Sequence, residues 1–473
     1  MLFNSVVYLF FLPAVAFIFF ITPKKIRWIP LLLASCVFYM AWRPEFILLL
    51  AFTVFVNYVS ALLISKAARP KPILILCILI NFGLLFFYKY LGFFSDILRS
   101  LFSLLGISVY VPEYSIILPL GISFYTFQAA AYTIDVYKGK FTPERNYFKT
   151  LLFVIFFPQL VAGPIERASD LMGQLLSGKK PRLNDISIGF GYLILGFFKK
   201  TVVADRLAII VNVVYGAPSS YTGLPSVIAT VFFAFQIYCD FSGYSDIAIG
   251  SAKLMGIELS RNFRQPYLSG NIREFWRRWH ITLSSWLRDY VYIPLGGSRV
   301  SKPRHCLNII ITFLASGLWH GANWTFVLWG AIHGAVQVLE GFRSAKPRKK
   351  TVFHIFFTFL IVCLAWIFFR ADSMRDALFI ISNLFNGFRR WNELQYLYET
   401  LSGMGGTILD MLINTGLIII VASLDLFAGD EDLIEKSCRV SADFLLLLIA
   451  ALFVIIMALG RFYSGGEFIY FQF

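Results

Sequence analysis

Charge is scarce in this sequence, and so are the residue arrangements on which soluble catalysts rely. Only 15% of the 473 residues are Asp, Glu, Lys or Arg, too few to coat a water-soluble chain of this length. No long polar stretch divides the sequence, so residues 1–473 are expected to form a single domain. The six cysteines (Cys36, Cys77, Cys239, Cys306, Cys363 and Cys438) are scattered without CxxC spacing. That excludes a disulfide framework or a zinc site and leaves them as packing residues. No Ser–His–Asp spacing, glycine-rich phosphate loop or metal-ligand cluster stands out, so no metal and no bound cofactor is expected. Alternating ten-residue segments, the mark of a membrane barrel, are missing too. The first residues lack a basic leader region and a small-residue cleavage pattern, so they read as a retained first span.

What fills the space is apolar. Hydrophobic residues make up 58% of the chain, with 51 phenylalanines. Long apolar runs recur at residues 6–21, 46–64, 73–87, 230–238, 355–369 and 444–459. A backbone inside a bilayer must satisfy its own hydrogen bonds, which leaves helices once barrels are excluded. The expected fold class is therefore all-α, a polytopic integral membrane protein. The net charge of +15 would suggest nucleic acid in a soluble chain. Here it is assigned to basic loops on the cytoplasmic side, with no nucleic-acid partner.

Those loops set an orientation. Lys24, Lys25 and Arg27, then Lys66, Arg69 and Lys71, place two loops inside and the N-terminus outside. The clusters around Lys138, Lys179 and Lys346 fall inside by the same counting, residues 375–401 outside, and the C-terminus outside. Pro158, Gly163 and Pro164 break FFPQLVAGPIER into a segment too short to cross twice, which predicts a re-entrant or broken helix. Lys199 and Lys200 interrupt an apolar stretch that runs to Tyr215, part of which is expected to lie at the interface. Asp240 and Asp246 lie in apolar surroundings, where they must pair with cations or line a wet cavity.

The densest chemistry lies between residues 261 and 334. RNFRQPYLSGNIREFWRRWHITLSSWLRDYVYIPLGGSR carries His280 among tryptophans and arginines, and FLASGLWHGANWTFVLWGAIHG carries His320 within an apolar return. Residues 306–340 must enter and leave as a hairpin around His320. On a continuous helix His280 would share a face with Trp276, Leu283, Ser284 and Leu287. A plainer reading makes Trp276, Trp279 and Trp286 an interfacial belt with snorkelling arginines, and His320 a packing histidine. It fits several of the arginines. An ionisable group in an apolar run is costly, however, and marks a functional site; Gly317 and Gly321 beside His320 permit close approach or a break in the helix. His333 is a candidate supporting partner, and His305 and His354 read as loop or interfacial residues. One or two imidazoles in a wet pocket equip a general acid or base for acyl transfer.

NFRQPYLSGNIREFWRRWHITLSSWLRDYVYIPLGGSR, the LWHG of residues 318–321, FPQLVAGPIER and YCDFSGYSDIAIG resemble the membrane-bound O-acyltransferase family. Within it they resemble the bacterial branch that acetylates alginate and other exopolysaccharides and D-alanylates teichoic acids. The motif core covers about 115–342. The resemblance implies a ring of helices, some of them re-entrant or broken, around a central funnel in the bacterial inner membrane. It implies an acyl thioester donor on the cytoplasmic side, acetyl-CoA or an acyl-carrier thioester, and a separate extracytoplasmic acyltransferase protein. It matches the family's embedded catalytic histidine to His320 and its second functional histidine to His280. Arg273, Arg277, Arg278 and Arg288 are candidates for holding the donor's phosphates. Acetyl transfer to an exopolysaccharide such as alginate is the expected activity, with D-alanyl or other acyl transfer to a cell-wall polymer as the alternative. A polysaccharide or lipid transporter, or a scaffold without chemistry, are the rivals from other classes.

Overall fold

The computed structural model describes residues 1–114, 116–161, 163–178, 180–342, 350–462 and 468–469. Among these residues every regular element is a helix. Seven stretches are long and apolar enough to cross a membrane: 46–64, 70–104, 183–216, 224–254, 352–370, 408–428 and 442–459. The chain is an all-α polytopic membrane protein. Lys179 and Lys346, on which part of the orientation rests, lie outside the described residues.

The chain divides into two compact units, Met1–Gly189 with Ala248–Ser260, and Phe190–Ile247 with Arg261–Phe473. The first contains α1 (Val6–Ile21), α2 (Trp28–Met40), α3 (Phe46–Ile64), α4 (Pro70–Leu85), α5 (Leu91–Leu104), α6 (Ile122–Tyr137), α7 (Tyr147–Ile155), α8 (Phe157–Leu160) and α9 (Ala168–Ser177). Pro70 and Pro72 open α4, where a missing N–H costs nothing. Side-chain amides join α3, α4 and α6: Asn57 Nδ2 donates to Asn81 Oδ1 at 2.8 Å, and Thr133 Oγ1 donates to Asn57 Oδ1 at 2.8 Å. Such polar contacts hold apolar helices together where lipid offers no hydrophobic drive.

The predicted break is present. α7 ends at Ile155, Phe156 is non-helical, and α8 runs for a single turn. Phe153 O accepts from both Gln128 and Gln159, and Glu166 accepts from Ser260 N at 2.5 Å and from Ser260 Oγ at 3.0 Å. Arg27, counted as a loop charge, is buried and donates through Nη1 to Gly178 O at 2.7 Å. It fastens a loop to the first unit as well as adding charge.

The second unit is built from most of α10 (Leu183–Phe197) and α12 (Leu224–Leu254), with α11 (Asp205–Gly216), α13 (Ile272–Arg278), α14 (Ile281–Leu287), α15 (Lys302–His320), α16 (Trp324–Phe342) and α17 (Val352–Arg370). It closes with α18 (Met374–Ser382), α19 (Leu394–Gly403), α20 (Ile408–Ala428), α21 (Leu433–Val440) and α22 (Ala442–Leu459). A π-helical segment, Phe198–Ala204, joins α10 to α11. It turns Lys200 into the protein, 2.9 Å from Asp205 and 2.6 Å from Asp240, while Lys199 meets Asp246 at 2.7 Å. Both lysines thus face carboxylates inside the protein, and Lys200 is 1% exposed. The two aspartates found cations, one of the two solutions their depth demanded. Where α10 crosses α12, a Cβ on Gly196 would lie 2.6 Å from Gly243 O, so only glycine permits the contact.

Candidate functional site

Three short structural events bring the histidines together. The first is a break between α13 and α14. Asn271 caps α13 by accepting from Glu274 N at 2.8 Å, and Glu340 at the end of α16 accepts from Ile272 N at 2.8 Å. Glu274 in the first turn and Arg277 and Arg278 in the last suit the helix dipole. α13 nevertheless stops at Arg278, because Arg264 N donates to Arg278 O and Ile281 N donates to Asn262 O, both at 2.9 Å. Asn262 Oδ1 also accepts from Thr282 Oγ1 at 2.6 Å. Between these anchors His280 takes a left-handed backbone, φ +42°, a conformation that histidine tolerates better than most residues but that still carries a cost. The continuous helical face expected for His280 is thus replaced by a kink that drives its ring inward to 0% exposure.

The second event is the hairpin of α15 and α16. Gly317 and Gly330 face each other, with the Cβ position of Gly330 3.4 Å from the Gly317 Cα, and Gly321 lies directly over the Phe326 ring. These glycines serve helix contact. α15 ends on His320, with Gly321 capping it, so the imidazole sits at the turn of the hairpin, buried.

The third is a lining of aromatic rings. His320 lies edge-on to Trp329 at 5.0 Å and Phe369 at 5.3 Å, and its centroid is 6.4 Å from that of His280. His280 meets Phe241 edge-on at 4.6 Å and Trp319 at 5.7 Å. Burial pushes the His280 imidazole well below its ordinary value, to about 3, so the ring is neutral at physiological pH. His333 lies across Trp329, 5.0 Å from that ring, and its Nδ1 accepts from Trp276 Nε1 at 3.3 Å. An accepting Nδ1 places the proton on Nε2. The indole N–H groups of Trp279 and Trp329 have no acceptor among the described residues, so two buried donors stand in this region.

The four arginines separate. Arg273 and Arg277 are exposed on α13. Arg278 Nη2 is held by Glu274 at 2.8 Å and Asp430 at 2.6 Å. Arg288, beyond α14, pairs with its neighbour Asp289 at 2.8 Å. Among the described residues no group of three or more His, Cys, Asp or Glu side chains is arranged to hold a metal ion.

Residues 144–374, which contain both imidazoles, the kink and the hairpin, match the membrane-bound O-acyltransferase family. A relative from Pseudomonas putida named "probable alginate O-acetylase" is 37% identical over 411 residues, 85% of this chain and 84% of the relative. The chain belongs to the membrane-bound O-acyltransferase family. One of the same name from Azotobacter vinelandii is 40% identical over 381 residues, 79% of this chain and 76% of that protein. A peptidoglycan O-acetyltransferase from Helicobacter pylori is 37% identical over 391 residues, 75% and 73% of the two chains. The acyltransferase thus carries its two candidate imidazoles inside the matched region. Sequence reasoning missed Asn262, which holds the kink, and Phe241, Trp329 and Phe369, which line the rings. Asn262 had no distinguishing signal, whereas Trp329 stands four residues before His333.

Proposed function

We propose that the acyltransferase takes an acetyl group from a cytoplasmic thioester, acetyl-CoA or an acyl-carrier thioester, and passes it across the membrane for O-acetylation of an exopolysaccharide such as alginate. The observation that carries this reading is the convergence of two buried imidazoles, one at a helix end and one at a strained kink, with centroids 6.4 Å apart. That separation is compatible with one hydroxyl oxygen hydrogen-bonded to both rings. His320 acts as general base: it takes the proton of the acceptor hydroxyl as that oxygen bonds to the thioester carbonyl carbon. The C–S bond then breaks, and the thiolate leaves with a proton returned from the imidazolium. His280, neutral by burial, orients the acceptor or assists the proton transfer. Arg273 and Arg277 draw the donor's phosphates, with Arg278 and Arg288 in a weaker role because each already faces a carboxylate.

Residues 1–473 act as one acyltransferase domain in the bacterial inner membrane, with both termini outside. A separate extracytoplasmic acyltransferase protein receives the acyl group and modifies the polymer. The motive is that the outside segments, including residues 96–114 and 375–406, are too short to form a polysaccharide-binding domain. Purified protein in vesicles, with acetyl-CoA inside and polysaccharide outside but no second protein, should yield little acetylated polymer; efficient direct acetylation would remove the partner from the scheme. The chemistry itself is tested by thiol release from acetyl-CoA in membranes containing the protein. Release lost in His320→Ala, with unchanged gel filtration, supports the assignment, and release retained rejects it.

A further inference from the structure

Two connections between spans meet in the second unit. Residues 371–407 join the spans 352–370 and 408–428, and residues 217–223 join 183–216 to 224–254. Within the longer connection α18 and α19 have nine and ten residues, too few to cross a bilayer, so it begins and ends at one membrane surface. It is also held flat. Arg370 Nη2 donates to Asn212 Oδ1 at 2.9 Å, Gly223 N donates to Asn383 O at 3.0 Å, and the Tyr221 hydroxyl donates to Gly403 O at 3.1 Å. Gly223 has φ +75° and lies so close to Asn386 O that a Cβ there would collide. With 19 residues, α17 is about 28 Å long, close to the roughly 30 Å thickness of the hydrocarbon. Its end therefore marks the hydrocarbon boundary, and a segment pinned from Arg370 to Gly403 stays within about 10–12 Å of it, one helix diameter.

That segment sorts its side chains. Ala377 and Ile380 of α18, and Leu384 beyond it, are buried. Phe385, Phe388, Leu394 and Tyr398 are not: Leu394 is 84% exposed and Phe385 is 72% exposed. In α19, Leu394, Tyr398 and the half-buried Leu401 share one face, while Gln395 Nε2 donates to Glu399 Oε1 at 3.0 Å on another. The turn at Phe388–Arg390 gathers an aromatic group: Trp391 lies 5.2 Å from Phe388 and stacks on Phe385 at 6.5 Å. Arg389 and Arg390 are exposed beside it, with Arg390 against Glu393 at 3.2 Å. An exposed apolar patch calls for a cover. At this depth, rings interleaved with arginines have the composition of a belt at the membrane–water boundary.

We propose that residues 374–403 form a shelf seated on phospholipid, with Phe385, Phe388, Leu394 and Tyr398 entering the boundary between head groups and acyl chains. Arg389 meets the lipid phosphates. Under the orientation given above, the leaflet is the outer one. The inference stands apart from the acyl-transfer chemistry, because it assigns a membrane-binding surface outside the spans. The pinning to residues 217–223 decides for lipid over a protein: it keeps the apolar face at the depth where lipid is the solvent.

The test uses the full chain in vesicles of phosphatidylethanolamine and phosphatidylglycerol, with an environment-sensitive fluorescent amino acid placed at Leu394, Phe388 or Glu399. The probes at Leu394 and Phe388 should emit as in an apolar medium. They should lose more than half of their emission when the phospholipid carries bromine near the head-group end of its chains, and less when the bromine lies near the chain ends. The probe at Glu399 should respond to neither. Phe385→Ser, Phe388→Ser and Leu394→Ser together should abolish quenching of a probe at Tyr398, in protein that remains monodisperse. Emission as in water from Leu394 and Phe388, or equal quenching at Glu399, would overturn the shelf. Apolar emission without bromine quenching would show that a protein surface covers the face and would overturn the lipid assignment. Undiminished quenching at Tyr398 in the triple variant would overturn the anchoring role of the three apolar residues.

Discussion

Two regions of the second unit place polar groups among apolar ones and solve the problem in opposite ways. Around Lys200 the solution is compensation: an ammonium within 3 Å of two carboxylates, with Lys199 matched to Asp246. Around His280 and His320 it is an aromatic lining: the imidazoles are set among rings, with burial keeping His280 uncharged. The difference separates two kinds of buried polarity. A paired charge cannot take up or release a proton without unbalancing its partner, so the ion cluster suits architecture. A neutral imidazole can accept a proton for the lifetime of a reaction, so the ring cluster suits chemistry.

The contrast is sharpest when one member of each region is removed. His320→Ala should cut acetyl transfer by roughly 10²–10⁴-fold, the usual contribution of a general base, while thermal unfolding in detergent stays near wild type. Lys200→Met should do the reverse to stability, costing about 3–5 kcal/mol because two carboxylates are left without their cation. Adding Asp205→Asn and Asp240→Asn to Lys200→Met should recover much of that loss, since the buried charge then disappears with its partner. A triple variant no more stable than Lys200→Met would show that the cluster is held by packing and not by charge balance.

A smaller effect separates the regions by pH. Because the folded value for His280 lies below its ordinary one, the unfolded chain binds the extra proton more readily. The stability from keeping His280 neutral is complete above pH 6.5 and declines as pH falls toward about 3. The slope reaches at most about 1.4 kcal/mol per pH unit. Midpoints measured from pH 7 to pH 5 should therefore fall more steeply in the wild type than in His280→Gln, and parallel curves would count against the buried neutral ring. The smallest change belongs to the rim: Arg273→Gln with Arg277→Gln should raise the apparent KM for acetyl-CoA several-fold, corresponding to about 1 kcal/mol, and leave kcat nearly unchanged. An unaltered KM would return these arginines to the lipid headgroups.

Most of the architecture was legible because its signals are local. Pro158, Gly163 and Pro164 announced the broken helix, and the apolar return after the basic stretch announced the α15–α16 hairpin with His320 between its arms. The aspartates at 240 and 246 announced that cations had to be near. Their partners were not named, because nothing in the sequence shows the π-helical segment that turns Lys199 and Lys200 toward them. The kink at His280 was illegible for a similar reason. RRWHITL contains no glycine or proline, and the break is imposed from Asn262 and Arg264, more than a dozen residues earlier in the chain. The four arginines looked equivalent in sequence, and only the folded positions of Glu274, Asp289 and Asp430 tell them apart.

The left-handed backbone at residue 280 also acts as a filter on sequence drift. A side chain arriving there is judged twice, once by what its end group does and once by whether its Cβ tolerates φ +42°, at a cost of about 1–2 kcal/mol for most L-residues. Glycine and asparagine pass the second judgement most easily, whereas valine and isoleucine fail it whatever their chemistry. An alanine scan at this position therefore mixes lost imidazole with altered strain. His280→Asn and His280→Gly are the substitutions that isolate the ring, and a chain that loses the histidine by drift would be expected to keep its kink by passing through one of these two residues.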